Sequence, residues 1–265
     1  MGCVICKNQG KTLKSLRGVD YNICKKCSHV YQEDIKSKKY YEHLPYESQW
    51  DNYKNHSINR AKYIYNFCKN HISPNILHLD VGCGRGGPMY YMGYLFKTKK
   101  SIGCTVDQDK IKYRKDLKIH YKDFSKFNKI PKQDFITMVH VLEHFPDPLE
   151  VLHKLKSTLK EGGHAYIEVP SYNWGKIRTK QLFCPVHISY FSYQYLQQLL
   201  NNFGFTIVKK KQSKYWGNIK ILIKNTPQIP NYNYKLKLIK LNLTRIFIFP
   251  IFKIIKKLKK INPND

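Results

Sequence analysis

At 265 residues the chain is long enough for one large domain with an appendage and a sizeable core. Its formal net charge of +29 points toward an anionic partner, nucleic acid or an acidic membrane surface. The charge is nearly all lysine, however, with six Arg among 47 basic residues and only Ala61 and Ala165 as alanines. That skew follows A/T-rich codons, and readers of bases favour the arginine fork, so charge alone does not define a nucleic-acid binder. Met1 to Lys7 has no apolar run behind a basic start, and no apolar stretch reaches the ~20 residues of a membrane span. The expected location is cytoplasmic, at most peripheral at a membrane.

The first element is a pair of knuckles, Cys3-Val-Ile-Cys6 and Cys24-Lys-Lys-Cys27, with seventeen residues between them. Each presents two thiolates to one tetrahedral ion, and the spacing lies in the zinc-ribbon range. Without a secretory leader, zinc is favoured over two disulfides, with a redox pair as the alternative. Four sulfurs close a site, so Cys3, Cys6, Cys24 and Cys27 predict a structural metal that folds residues 1–31. Residues 32–73 form a Tyr-, Lys- and Asn-rich linker. Ser57 is expected to cap a helix carrying Ile58, Ala61, Ile64, Tyr65 and Cys68 at helical spacing. Its tyrosines either pack on the main domain or form a lid over an acceptor.

The main domain, residues 74–225, opens with Leu77-His-Leu-Asp-Val-Gly-Cys-Gly-Arg-Gly-Gly87. This reads as a strand, a Gly-rich loop and the start of a helix, the arrangement with which doubly wound α/β proteins hold nucleotide-like cofactors. The spacing is not the dinucleotide G-x-G-x-x-G. Ser101 to Asp107 is a second strand ending in an acid, and Asp107 lies 23 residues after Gly84, where such folds place a ribose-binding carboxylate. A polar helix is expected over Lys110 to Leu117, then a short strand Ile119 to Tyr121 followed by Asp123-Phe124. Asp134 to His140 is a fourth, almost wholly apolar strand, as a central parallel strand should be. An amphipathic helix Leu149 to Leu159, closed by Gly162-Gly163, leads to a fifth strand Ala165 to Val169. After an insertion, 171–192, come a helix from Tyr193 to Phe203 and an antiparallel pair, Phe205 to Lys210 and Ile219 to Ile223. The pattern predicts an α/β fold, a doubly wound, mostly parallel seven-stranded sheet, with the small zinc ribbon ahead of it.

With these residues in view, the chain resembles class I S-adenosylmethionine-dependent methyltransferases. The resemblance rests on Leu79-Asp-Val-Gly-Cys-Gly-Arg-Gly, Asp107, Asp123-Phe124 and His140-Val-Leu-Glu-His-Phe-Pro-Asp-Pro148 ahead of Leu159-Lys-Glu-Gly-Gly163. The ribbon, the Tyr-rich linker and His187-Ile-Ser-Tyr-Phe-Ser192 are further similar to methyltransferases of deoxysugar and surface-glycan pathways, nucleotide-sugar C-methyltransferases among them. The resemblance implies that Asp80, Gly82, Cys83 and Gly84 approach the methionine part of the cofactor. It implies Asp107 at the ribose, Asp123 and Phe124 at the adenine, and His140 beside the cofactor facing the acceptor.

Methyl transfer is an in-line displacement, so the protein positions, desolvates and removes a proton. A hydroxyl or a carbon acid as acceptor needs a base, and histidine titrates near neutrality. His187, in the insertion, is the first candidate for base or substrate ligand, with loop packing as the alternative. His144 is the second, although Glu143-His144 also suit bracing the loop. Insertions of this length are usually functional, and Tyr172, Tyr190 and Trp174 are placed to line a sugar face or to pack. Cys83, Cys104 and Cys184 are read as small buried or loop residues. The tail, 226–265, interleaves Lys with Leu, Ile and Phe and suits an anionic membrane surface, packing on the domain or a partner helix. The alternative activity is a zinc-ribbon RNA methyltransferase. Scarce Arg weighs against it, as does His140-Val-Leu-Glu in place of an Asn/Asp-Pro-Pro-Tyr motif.

Overall fold

The computed structural model of the protein describes residues 2–14, 20–27, 29–32, 50–107, 117–171, 186–212 and 218–227. Outside them lie the aromatic stretch 40–46, residues 110–116 of the expected polar helix, and insertion residues 172–185 with Tyr172, Trp174 and Cys184. The basic tail from 228 onward also lies outside them.

The amino-terminal unit is built from β1 (Gly10–Lys14), β2 (Asp20–Cys24) and β3 (Val30–Gln32), paired antiparallel in that order. Helix α1 (Trp50–Cys68) follows. Ser57 does not cap it: the helix starts seven residues earlier, and the Ser57 hydroxyl donates back to the Tyr53 carbonyl at 2.7 Å. A mid-helix serine satisfies itself in this way without ending the helix.

The large sheet begins with β4 (Leu77–Val81), and α2 (Gly87–Leu95) crosses over to β5 (Lys100–Thr105). Then come β6 (Ile119–Tyr121), β7 (Gln133–Val139), α3 (Pro148–Thr158) and β8 (Leu159–Pro170). The insertion contributes β9 (Ser189–Tyr190), and α4 (Tyr193–Asn202), β10 (Phe205–Gln212) and β11 (Asn218–Asn225) complete the domain. The seven strands run in the order β6-β5-β4-β7-β8-β11-β10. The first five are mutually parallel, and β11 and β10 are antiparallel additions.

Local chemistry sets the helix limits. The Asp147 carboxylate accepts from the Leu149 and Glu150 amides at 2.8 and 3.3 Å, and Pro148 takes the first helical position. At the other end α3 stops before the glycines expected to close it. Leu159 already adopts extended backbone and pairs with Gln133, so β8 is twelve residues long and contains Gly162 as a left-handed irregularity.

Alternate residues of the central strands enter two cores on opposite faces. Leu79, Ile136, Ile167 and Ile221 pack with α3 and α4 on one face. Phe135, Tyr166 and Leu222 pack with Ala61, Ile64 and Phe67 of α1 on the other. The first core is continuous with Cys3, Ile5 and Tyr31 of the amino-terminal unit. Strand β9 pairs with β3, so the insertion adds a fourth strand to the ribbon's sheet. No helix among the described residues is long and apolar enough to cross a membrane.

Candidate active site

Strand β4 places His78 and Asp80 two residues apart, on one face of the sheet. After Val81 the chain turns through Gly82 at φ 68°, where a Cβ would collide with the side chain of Val141. The Gly82 and Cys83 amides donate to the Cys104 carbonyl at 2.8 and 3.1 Å, tying the loop to β5. Gly87 lets α1 come close: a Cβ there would strike Ser57 and the Tyr53 ring, and its amide donates to the Tyr53 hydroxyl at 3.1 Å. Between the loop and α1 lies a cleft of about 240 Å³. Asp80, Gly82, Cys83, Gly84 and His140 line it, with Tyr53, His56, Arg60 and Arg85 from helix and loop.

A buried polar chain feeds Asp80. The Thr137 hydroxyl donates to its carboxylate at 2.6 Å. His78 Nε2 lies 3.0 Å from that hydroxyl, and Nδ1 lies 3.2 Å from the Ser101 hydroxyl. Because the threonine proton is committed to Asp80, the consistent tautomer has His78 donating from Nε2 and accepting at Nδ1. Burial holds His78 uncharged, with its pKa lowered to about 3. Burial also raises Asp80 to about 7, against the lowering effect of the Thr137 bond. A buried carboxylate poised near neutrality suits a cationic ligand group, which would favour its ionised form.

His140 follows β7 with φ 55°, the left-handed region that a non-glycine residue seldom adopts. The surroundings over-determine it. Its amide donates to the Glu168 carbonyl at 2.8 Å, Nδ1 lies 3.3 Å from Glu143 Oε1, and Nε2 lies 3.5 Å from Glu168 Oε1. Burial opposes a charge on His140, but the bonds to Glu143 and Glu168 outweigh it and raise the ring to about 9. Glu168 is fully buried in β8 and binds Arg60 and the Tyr166 hydroxyl at 2.7 Å each, together with the Asn218 amide. Burial disfavours the carboxylate, yet the His140 bond, Arg60 and Tyr166 hold its pKa below the ordinary value.

Other expected cofactor residues lie off the cleft. Asp107 stands just past β5, its amide bonded to the Thr105 hydroxyl at 3.2 Å. Asp123 caps a 3₁₀ turn over Phe124–Lys126, accepting from the Ser125 amide and hydroxyl at 2.9 and 3.0 Å. Phe124 is 1% exposed and packs within the main core rather than offering a ring face to the cleft. Cys83 and Cys104 are buried.

Past β7, His144 and His187 come together at 5.0 Å between ring centroids. His144 Nδ1 lies 2.8 Å from the Val186 carbonyl, and its Nε2 lies 3.9 Å from Glu143 Oε1. Burial lowers His187 to about 4, with Glu143 pulling the other way. The ribbon holds His187 by its backbone: its carbonyl accepts from the Tyr21 hydroxyl at 3.3 Å and from Gln32 Nε2 at 3.2 Å. Next to it the Ser189 hydroxyl meets His29 Nε2 at 3.1 Å.

The four knuckle sulfurs all lie within 4.8 Å of one another, with Cys6–Cys24 at 3.3 Å and Cys3–Cys27 at 3.6 Å. Bonding to Cys24 raises the Cys3 thiol to about 12, and bonding to Cys24 and Cys3 raises Cys27, while bonding to Cys27 and Cys3 lowers Cys24. The thiols share protons because four thiolates cannot stand together without a cation. This donor set fits a tetrahedral zinc ion. His29 Nδ1 lies 3.7 Å from Cys3 Sγ, placed as an outer partner to that sulfur.

Tyr53, Arg60, Thr137, Glu168 and Asn218 are not legible as site residues from the motifs. Glu168 carried a signal, a carboxylate inside the otherwise apolar run Ala165-Tyr-Ile-Glu-Val169, since such a residue is buried only when paired.

The glycine turn, the acid on β4 and the β6-β5-β4-β7-β8-β11-β10 order define a Rossmann-like methyltransferase fold. The family model described as "Methyltransferase domain" matches residues 53–210. The chain belongs to this family, and as an enzyme it is an S-adenosylmethionine-dependent methyltransferase. Among solved structures, it resembles a S-adenosylmethionine-dependent methyltransferase from Clostridium acetobutylicum at 15% identity and TM-score 0.51, covering 72% of this chain and 96% of that one. A SAM-dependent methyltransferase from Archaeoglobus fulgidus aligns at 20% identity and TM-score 0.52, over 64% and 94% of the two chains. One from Aquifex aeolicus aligns at 17% and 0.51, over 73% and 99%. At these identities the likeness is one of fold. No curated protein matches the sequence.

Proposed function

We propose that the protein methylates a small oxygen-rich acceptor, a nucleotide-linked sugar or a surface glycan, with His187 as the residue that takes the acceptor's proton. The observation that carries this reading is the pairing of His187 with His144 and Glu143, on the turn that follows cleft-lining His140. S-adenosylmethionine supplies a methyl group on a sulfonium centre. In this reading Asp80, Gly82, Cys83, Gly84 and His140 hold it in the cleft, and Asp107 and Asp123 reach its ribose and adenine. Burial keeps His187 uncharged at neutral pH with a lone pair to accept a proton, and the Glu143 charge nearby favours the protonated ring that results. The four cysteines hold a structural zinc whose ribbon fixes the His187 backbone.

Labelled S-adenosylmethionine offered with nucleotide sugars, free glycans and RNA, with products read by mass spectrometry, tests the acceptor. Label on a sugar supports the proposal. Steeply salt-dependent transfer to RNA supports the alternative and overturns the sugar reading. His187→Ala should lower kcat by about 10²–10⁴ with cofactor affinity unchanged, and full activity in that variant removes His187 as the base.

A further inference from the structure

Three neighbouring strands set Lys211, Lys220 and Glu168 in one row. Lys211 stands directly opposite Lys220 across the β10–β11 ladder, and Lys220 directly opposite Glu168 across β11–β8. Glu168 in turn pairs with Val139 of β7, which lines the cleft together with His140 and Arg60. Like charges directly opposite in a ladder are destabilising. Glu168 does not relieve them. Arg60, the Tyr166 hydroxyl and the Asn218 amide already bond its oxygens, and Lys220 Nζ lies 3.9 Å from Oε1, beyond a hydrogen bond. Among the described residues Lys211 has no acidic partner. Both ammonium groups lean on one ring instead: Lys220 Nζ lies 3.9 Å from the Tyr63 ring centroid and Lys211 Nζ 5.7 Å. The Tyr63 hydroxyl is buried without a hydrogen-bond partner, whereas buried polar atoms are nearly always satisfied. Protection of the sheet edge accounts for Lys211, since β10 ends the sheet. It does not account for Lys220 on the inner strand β11, nor for the orphan hydroxyl.

We infer that Lys211, Lys220 and the Tyr63 hydroxyl form a subsite for a phosphate or diphosphate group, and that the methyl acceptor carries that group. Two ammonium point charges and a hydroxyl, from two strands and a helix, suit the several oxygens of a phosphate. A planar carboxylate is matched better by the fork of an arginine, and Arg60 is already held by Glu168. From Lys211 to Val139 the row crosses three strand spacings, about 14 Å. A phosphate gripped at its outer end leaves the rest of the ligand to lie along the row toward the cleft. His187 keeps its role as the base. The proposed acceptor narrows from glycans at large to a sugar borne on a phosphate. That narrowing rests on the methyl-transfer reading above; the anion subsite does not.

The test titrates the full chain with inorganic pyrophosphate and with uridine diphosphate by calorimetry. One equivalent should bind. Lys211→Met and Lys220→Met should each weaken it about tenfold and Tyr63→Phe about threefold, with thermal midpoints showing that the variants are folded. Lys224→Met removes the same charge from the far end of β11 and should leave the affinity unchanged. No stoichiometric binding, or equal weakening by all three lysine variants, overturns the subsite. In methyl transfer, a uridine diphosphate sugar should show a raised KM in the Lys211 and Lys220 variants. An unchanged KM, or transfer to a neutral glycan that both variants leave intact, overturns the acceptor role. Label carried to RNA instead, with the same two variants impaired, overturns the sugar reading. Failure to bind S-adenosylmethionine would strike the methyl-transfer reading and not the anion subsite.

Discussion

Thr137 and Asp80 face each other across the β7–β4 ladder, and the threonine hydroxyl donates to the carboxylate at 2.6 Å. His78 stands behind the hydroxyl, so donors run in one direction toward the acid. Asp80 titrates at about 7 in the folded protein and from 3.8 as its ordinary value. Between those values the folded state holds more protons than the unfolded one. Stability of the ligand-free protein should therefore fall as pH rises from about 4 to 7 and level off above. Cofactor binding should run the other way, tightening from pH 6 to 8 as Asp80 ionises beside a cationic ligand. Calorimetric titration across that range checks it, and Thr137→Val, which removes the bond that lowers Asp80, should move the midpoint upward.

Glu168 works in the opposite sense. Against the cost of burial, the His140 bond, Arg60 and Tyr166 hold its pKa below the ordinary 4.5, so it adds stability above pH 4.5 that is lost on acidification. Glu168→Ala leaves Arg60 and His140 without their shared acid and should cost about 3–5 kcal/mol in denaturant unfolding. It should also flatten the acid limb of the stability curve.

The amino-terminal unit reaches His187, the proposed base, through Tyr21 and Gln32, which both bond its carbonyl. Tyr21→Phe and Cys24→Ser should raise the acceptor KM and speed amide exchange at Gln32, whose N–H donates to Ile188. Cofactor affinity should stay unchanged, because none of the described ribbon residues lines the cleft. A parallel loss of cofactor affinity would argue against that division of labour.

Gly82→Ala puts a side chain at φ 68° and against Val141. The loop must shift to accommodate it, and cofactor affinity should fall by at least about tenfold, with roughly 1–3 kcal/mol of backbone strain as the cause. The thermal midpoint of the ligand-free protein should change far less than that of the cofactor-bound one.

Much of this was legible in the sequence because it depends on local chemistry. The period-two apolar strands, the glycine turn after Val81 and the pairing of β10 with β11 follow from nearest-neighbour patterns. Ser57 has capping chemistry but does not mark the start of α1, because an interior hydroxyl can bond back along the helix. Gly162-Gly163 look like a stop but do not end α3, because pairing with Gln133 draws Leu159 into β8. The site partners Arg60, Glu168 and Asn218 come from three distant segments, and no local pattern brings them together. Nor does any motif state that the ribbon's β3 would pair with β9 and so grip the insertion at His187.

The most direct measurement is equilibrium binding of S-adenosylmethionine to the full chain, beside Asp80→Asn and Gly82→Ala. The structure implies one site per chain, tighter at pH 8 than at pH 6, with both variants at least about tenfold weaker while remaining folded. No binding by the wild-type protein, or undiminished binding in both variants, would contradict the placement of the cofactor against Asp80 and the glycine turn.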